Sequence, residues 1–204
     1  MSKNSFSLRT DLQAIADLIP AKSRILDIGC SNGDLLAWLK NEKQIDGRGI
    51  EISQSDVSTC VQRGLTVIQG DADHDLQHYP NQAYDYVIAS HLLQATLHPK
   101  EVLQEMLRIG SHAILSIPNF GYWRNRLQLA FLGRMPVTRT LHYQWYDTPN
   151  IHFCTSADFK ALAEELGCFC LKTSHLNSEG KPISKIANYF PNLLAEKSIF
   201  VLTR

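Results

Sequence analysis

The sequence predicts an α/β protein whose sheet is doubly wound and mainly parallel, and three observations carry that expectation. Short β-branched and aliphatic runs alternate with segments of helical spacing over residues 24–117, the order produced when each strand is followed by a helix that crosses to the next parallel strand. The first run breaks at Gly29 into small and polar residues and resumes at helical spacing from Leu35. A strand, tight turn and helix of this kind places a nucleotide-like ligand at the carboxyl end of the strand. With 204 residues, 44% of them hydrophobic, the chain can bury one full core, so residues 1–204 are expected to form a single domain.

Leu8, Leu12, Ile15 and Ile19 recur at helical intervals before Pro20, predicting an amphipathic helix that packs on the sheet or covers the ligand mouth. Ile25, Leu26 and Ile28 predict the buried first strand, and Leu35, Leu36 and Leu39 the core face of the next helix. Between them, Gly29 and Gly33 permit positive φ and a close backbone approach to a ligand. Residues 47–51 read as a second strand ending in Glu51, 18 residues beyond Gly33. That carboxylate is either a simple strand-end acid or an acceptor for the two hydroxyls of a ribose. Ser53 is placed to cap a helix carrying Val57, Cys60 and Val61, which Gly64 ends. Residues 65–69, 84–90 and 112–117 read as the third, fourth and fifth strands. Pro99 opens a helix with Val102, Leu103, Met106 and Leu107 on its inner face, and Gly110 closes it. The linker at residues 74–82 is short for a crossover helix and is expected to be a turn.

Charge decides which nucleotide fits the first turn. A dinucleotide fingerprint started at Gly29 would need a small residue at position 34, where Asp34 stands and would repel a pyrophosphate on the helix amino end. This speaks against a nicotinamide dehydrogenase. S-adenosylmethionine carries no phosphate, but a sulfonium and an ammonium, and so accommodates acids at Asp27 and Asp34. The spacing D-x-G-x-x-x-G at Asp27, Gly29 and Gly33 resembles motif I of class I methyltransferases, with Ser31 where a further glycine is usual. The resemblance implies a Rossmann-like, three-layer αβα fold with a seven-stranded sheet, its last two strands at residues 168–173 and 198–203. It also implies S-adenosylmethionine or S-adenosylhomocysteine held by Asp27, Gly29, Cys30, Ser31 and Gly33, by Glu51 and Ile52 at the ribose, by Asp71 and Ala72 near the adenine, and by Ser90.

Lysine plus arginine equals aspartate plus glutamate at 20 each, so no overall basic field points to nucleic acid or an anionic membrane. There is no cleavable signal pattern in residues 1–10 and no apolar run of the length a membrane span needs. A cytoplasmic protein is expected. Cys30, Cys60, Cys154, Cys168 and Cys170 are odd in number and lack C-x-x-C spacing, which argues against a disulfide framework and a zinc cage, and most are expected to be small buried residues. Asp71, Asp73, His74, Asp75 and His78 can be drawn as a metal cluster, but no second ligand group completes it, and no metal is expected.

Residues 120–154 are the least generic part of the chain. They hold Trp123 and Trp145, Tyr122, Tyr143 and Tyr146, and Arg124, Arg126, Arg134 and Arg139. Leu127 and Phe131 share one face of an expected helix ended by Gly133, and the segment reads as either a lid on its own domain or an aromatic and arginine-rich surface of the kind enriched at protein contacts. Thr155 with Asp158 forms a capping-box pattern for a helix that Gly167 ends. The polar connector at residues 174–197 is long and expected to be weakly ordered.

Read together, L-D-I-G-C-S-N-G-D-L-L-A-W-L, G-I-E, V-I-Q-G-D, Y-D-Y-V-I-A-S-H-L-L-Q-A, P-N-F-G-Y-W-R-N-R-L-Q-L, G-R-M-P-V-T and W-Y-D-T-P-N-I-H-F-C-T resemble the methionine biosynthesis protein MetW family. The resemblance implies a methyltransferase-like companion that supports or regulates a MetX-type homoserine O-acyltransferase, with residues 120–154 as the surface for that partner. A working O- or N-methyltransferase on a small molecule is the alternative, and His91, Tyr122, His142 and His152 are its candidate bases. Ser90-His91-Leu92-Leu93 stands where an N-P-P-Y tetrapeptide would clamp an amino acceptor, no Pro-Cys pair serves C5 methylation, and no G-x-S-x-G nucleophile is present for acyl transfer itself.

Overall fold

A computed structural model describes residues 8–204; the signal reading of residues 1–10 lies outside the described residues over its first seven positions. The chain runs α1 (Thr10–Ala16), β1 (Arg24–Ile28), α2 (Asp34–Lys43), β2 (Asp46–Glu51), α3 (Gln54–Gln62), β3 (Thr66–Gln69), β4 (Tyr84–Ser90), α4 (Pro99–Ile109), β5 (Gly110–Pro118), α5 (Trp123–Leu132), α6 (Ser156–Glu165), β6 (Phe169–Leu176), α7 (Pro191–Leu194) and β7 (Lys197–Thr203). Its seven strands, counted among the described residues, lie in the order β3-β2-β1-β4-β5-β7-β6. The first five are parallel, while β7 runs antiparallel between β5 and β6. The order reverses between β1 and β4, which opens a crevice at their carboxyl ends.

Strand pleating divides the core between the two faces of the sheet. Leu26, Ile28, Val87, Ala89, Leu115 and Ile117 pack with α4 and α6 through Leu103, Met106 and Phe159. Ile25, Ile88 and Ile114 point to the other face and pack with α1, α2 and α3 through Ile15, Leu36, Leu39 and Cys60. Three layers result. Between β3 and β4 the crossover shrinks to a 3-10 turn at Leu76–His78, as the short linker implies. Ser53 caps α3, accepting from the Asp56 amide at 3.4 Å, and Thr155 with Asp158 forms a reciprocal capping box on α6.

Several boundaries differ from the sequence expectation. Helix α1 ends at Ala16, four residues before Pro20. Gly110 closes α4 as its C-cap, as expected, but it is extended at φ −115° and at once begins β5, two residues earlier than expected. Strand β6 continues to Leu176 because Ser174, His175 and Leu176 pair with β7, so the connector begins later than expected and contains α7 and a 3-10 turn at Ala187–Tyr189. The cysteines are less buried than expected. Cys30 and Cys60 are buried, Cys154 and Cys168 partly so, and Cys170 is exposed on edge strand β6.

Candidate functional site

The carboxyl ends of β1, β2, β3 and β4 border a cleft of about 480 Å³ lined by Gly29, Glu51, Ile52, Asp71, Ala72 and Ser90, among others. The first wall forms because a glycine follows β1 directly. Gly29 has φ +67°, and its amide donates to the Ile50 carbonyl at 2.8 Å, tying the turn to β2. A Cβ there would stand 3.0 Å from Leu92 Cδ1, itself part of the opposite wall.

Glu51 is buried, and its two carboxylate oxygens accept from the backbone amides of Ser31 at 2.8 Å and Ser53 at 3.0 Å. Carboxylate oxygens carry two acceptor sites each, so these amides fix the group while leaving capacity for a ligand in the cleft. Asp71 orders its own loop. Its side chain accepts from the Asp73 amide at 2.9 Å, and its amide donates to Asp75 at 2.7 Å. Asp73, which the sequence reading treated only as part of a possible metal cluster, accepts from the amides of Leu97 and His98, both at 2.8 Å. The acids of this loop are thereby used as turn and wall acceptors. Leu97, Thr96, Ala95 and Pro149 complete the lining; no local pattern marks them in the sequence, because they arrive from separate loops.

Asp27, Cys30, Ser31 and Gly33, four of the expected cofactor residues, do not line this cleft. Cys30 turns its sulfur into the packing between α2 and β2, where the position of a Cβ on Gly49 would be 2.7 Å away, and burial with the nearby Asp27 carboxyl pushes its thiol far above the ordinary range. Ser31 contributes its backbone. It holds φ +50°, its amide binds Glu51, and its side chain is exposed. At Gly33 a Cβ would meet Leu65 Cδ1 at 2.4 Å and Cys60 Sγ at 2.8 Å, so this glycine serves the contact of α2 with α3 and β3 instead of a close ligand approach. Asp34 is likewise turned away, paired with Arg63 at 2.8 Å.

Asp27 lies buried at the end of β1. Burial and the neighbouring Glu51 charge push its carboxyl up from the ordinary 3.8 to about 7. The folded chain therefore retains a proton that the unfolded chain has released between about pH 4 and 7, and stability is expected to fall as pH rises through that window. Asp27→Asn should flatten this slope and exceed wild type in stability by a few kcal/mol at pH 8, measured by urea unfolding across pH. An unchanged slope in the variant would assign it to other groups.

The candidate bases are dispersed. His91 follows β4 in a left-handed conformation, φ +55°, held by its amide bonds to Ser116 O at 2.9 Å and Ser116 Oγ at 3.1 Å. It lines both the cleft and a second chamber that contains His142. Burial lowers the His91 imidazole below its ordinary value despite the Asp11 carboxylate beside it, so it is neutral at pH 7. Tyr122 instead caps α5, edge-on to Trp123, and His152 lies with Nε2 3.4 Å from the Leu97 carbonyl. Neither lines the cleft or the second chamber.

The comparisons with known proteins agree with this architecture. The family model described as methionine biosynthesis protein MetW matches residues 9–202. The chain belongs to the MetW family. A curated relative from Rhodopirellula baltica, a bifunctional methionine biosynthesis protein MetXA/MetW, is 37% identical over 172 residues. That match covers 80% of this chain but spans only 28% of the relative's length. Among solved structures, a SAM-dependent methyltransferase from Archaeoglobus fulgidus superposes with TM-score 0.70 at 17% identity, covering 96% of this chain and 92% of that one. The [4+2]-cyclase SpnF superposes with TM-score 0.67 at 18% identity, covering 96% and 80%. These likenesses establish the class I methyltransferase fold, and the cyclase shows that the fold alone does not specify methyl transfer. Among the described residues, no helix is long and apolar enough to cross a membrane.

Proposed function

We propose that the cleft binds S-adenosylmethionine or S-adenosylhomocysteine and that the chain acts as a companion of a homoserine O-acyltransferase in methionine synthesis. The observation that carries the nucleotide reading is the convergence of Glu51, Gly29 and Asp71 on one cleft at the strand ends. Glu51 would accept from the ribose hydroxyls and Asp71 from the adenine amine, while Ile52 and Leu97 supply apolar wall. Asp27 would favour the cationic end of S-adenosylmethionine once ionised, so affinity is expected to rise from pH 6 to 8 with release of a proton. Calorimetry in buffers of different ionisation enthalpy measures both.

The partner reading rests on the relative whose name joins MetXA to MetW in one chain and on the surface of residues 120–154. Phe131 is 79% exposed, Trp145 72% and Tyr146 71%, an aromatic display that the domain's own core does not use. Arg124 stands 5.3 Å over the Trp123 ring. Arg126, by contrast, donates to the Gly121 carbonyl and is partly committed to the turn that precedes its helix. The better probe is Phe131→Glu, which should weaken copurification with the acyltransferase at least tenfold while leaving folding intact. Full copurification would place the interface elsewhere. The second reading, methyl transfer to a small molecule, is favoured by His91, whose neutral imidazole lies where the cleft meets the second chamber.

A further inference from the structure

A chamber of about 460 Å³ lies beside the nucleotide cleft and shares His91 and Pro149 with it. Its walls come from parts of the chain far apart in sequence: Arg9 and Asp11 at α1, Gln94 after β4, Arg139 in the segment following α5, and Lys197 at the start of β7. Two features mark it as incomplete without a polar ligand. Gln94 is only 4% exposed, its amide nitrogen donates to the His91 carbonyl at 2.9 Å, and its Oε1 has no hydrogen-bond partner. A buried acceptor left unpaired is costly. His91 Nε2 is also buried without a properly formed hydrogen bond, 3.5 Å from Asp11 Oδ2.

The charge balance defines the ligand. Asp11 is shared between Arg9 Nε at 2.6 Å and Lys197 Nζ at 3.0 Å. Burial alone would raise its carboxyl, but the His91 contact and the two cations hold it well below the ordinary range, so it is ionised. Arg139 and Glu179 also line the chamber, the latter paired with Lys181 at 2.9 Å. With His91 neutral, Arg9, Arg139 and Lys197 outnumber Asp11 and Glu179 within the lining, leaving one positive charge. Lysine and arginine have several donors each, and one contact to Asp11 from each does not exhaust them.

We propose that this chamber binds a small carboxylic acid bearing an amino or hydroxyl donor. The carboxylate sits among Arg9, Arg139 and Lys197, the donor satisfies Gln94 Oε1, and the far end of the molecule faces the cleft past His91. The proposal does not depend on nucleotide occupancy, and its test is made without nucleotide. The protein is titrated by calorimetry and by amide chemical shifts with L-serine, 2-hydroxybutyrate and lactate, and with 2-aminoethanol, which is serine without its carboxylate. Saturable binding of at least one acid is expected, with shifts at residues 9–11, 94 and 197 and none with 2-aminoethanol. Arg139→Ala, an exposed charge whose loss leaves the fold intact, should weaken that binding about tenfold or more, and Arg139→Lys should restore part of it. Binding of 2-aminoethanol as tight as serine, undiminished binding by Arg139→Ala, or no saturation with any of the three acids would overturn the assignment.

Discussion

Glu51→Ala is expected to lower affinity for S-adenosylmethionine about 10- to 150-fold and to destabilise the chain at the same time. A hydrogen bond to a charged acceptor contributes about 1.5–3 kcal/mol, which converts to that range of binding loss. The stability effect has a separate origin. The Ser31 and Ser53 amides donate to the two oxygens of this one carboxylate at 2.8 and 3.0 Å, and alanine leaves both without their acceptor in a partly buried turn. Each buried donor left unsatisfied costs about 1–3 kcal/mol. Glu51→Gln separates the two roles: its single carbonyl can hold one amide, so stability should recover in part while ribose affinity stays low. Calorimetry and urea unfolding on the three proteins check this. Wild-type affinity in Glu51→Ala would remove the ribose role, and wild-type stability would show that the turn finds other acceptors.

Gly33→Ala should produce the other large effect, and it should be an effect on folding. A left-handed φ of +78° costs a non-glycine residue about 1–2 kcal/mol. The added Cβ would also lie 2.4 Å from Leu65 Cδ1 and 2.8 Å from Cys60 Sγ, an overpacking that costs about 1–3 kcal/mol. A loss of roughly 2–5 kcal/mol follows, large against the 5–15 kcal/mol of a typical domain. Because the obstruction faces α3 and β3, the molecules that remain folded should bind nucleotide nearly as well as wild type. A Gly33→Ala protein of unchanged stability but without binding would return this glycine to the ligand.

The two glycines of the first turn show how far local pattern can be read. Gly29 and Gly33 both adopt positive φ, as the strand-turn-helix pattern implies, since the chain reverses within five residues. Their purposes differ, and spacing does not reveal that. Gly29 faces Leu92 across the cleft, whereas Gly33 faces Leu65 and Cys60, residues of a later crossover that three-dimensional packing brings against it. Cys30 is a similar case. Its place in the turn suggests a ligand contact, and strand alternation would put it on the face of Leu26 and Ile28, but the left-handed Gly29 breaks that alternation and Cys30 packs with Ile25 and Leu36 in the α2 layer.

Short-range rules govern everything that could be read directly from the order of residues. Periods of 2 and 3.6 set the strands and helices, Ser53 and Thr155 with Asp158 set two helix starts, and alternation of strand and helix set a parallel sheet with its crevice at the β1 and β4 ends. Glu51 and Asp71 were legible because they stand at strand ends, which that topology directs to one side. Packing in three dimensions accounts for the remainder. It brought Pro149 and Leu97 to the cleft, left Phe131 and Trp145 outside the core, and set Asp11 between Arg9, His91 and Lys197, the last 186 residues away in the chain. Ion pairing and burial act through distance in space, and a charge at residue 11 carries no local signature of the partner that will neutralise it.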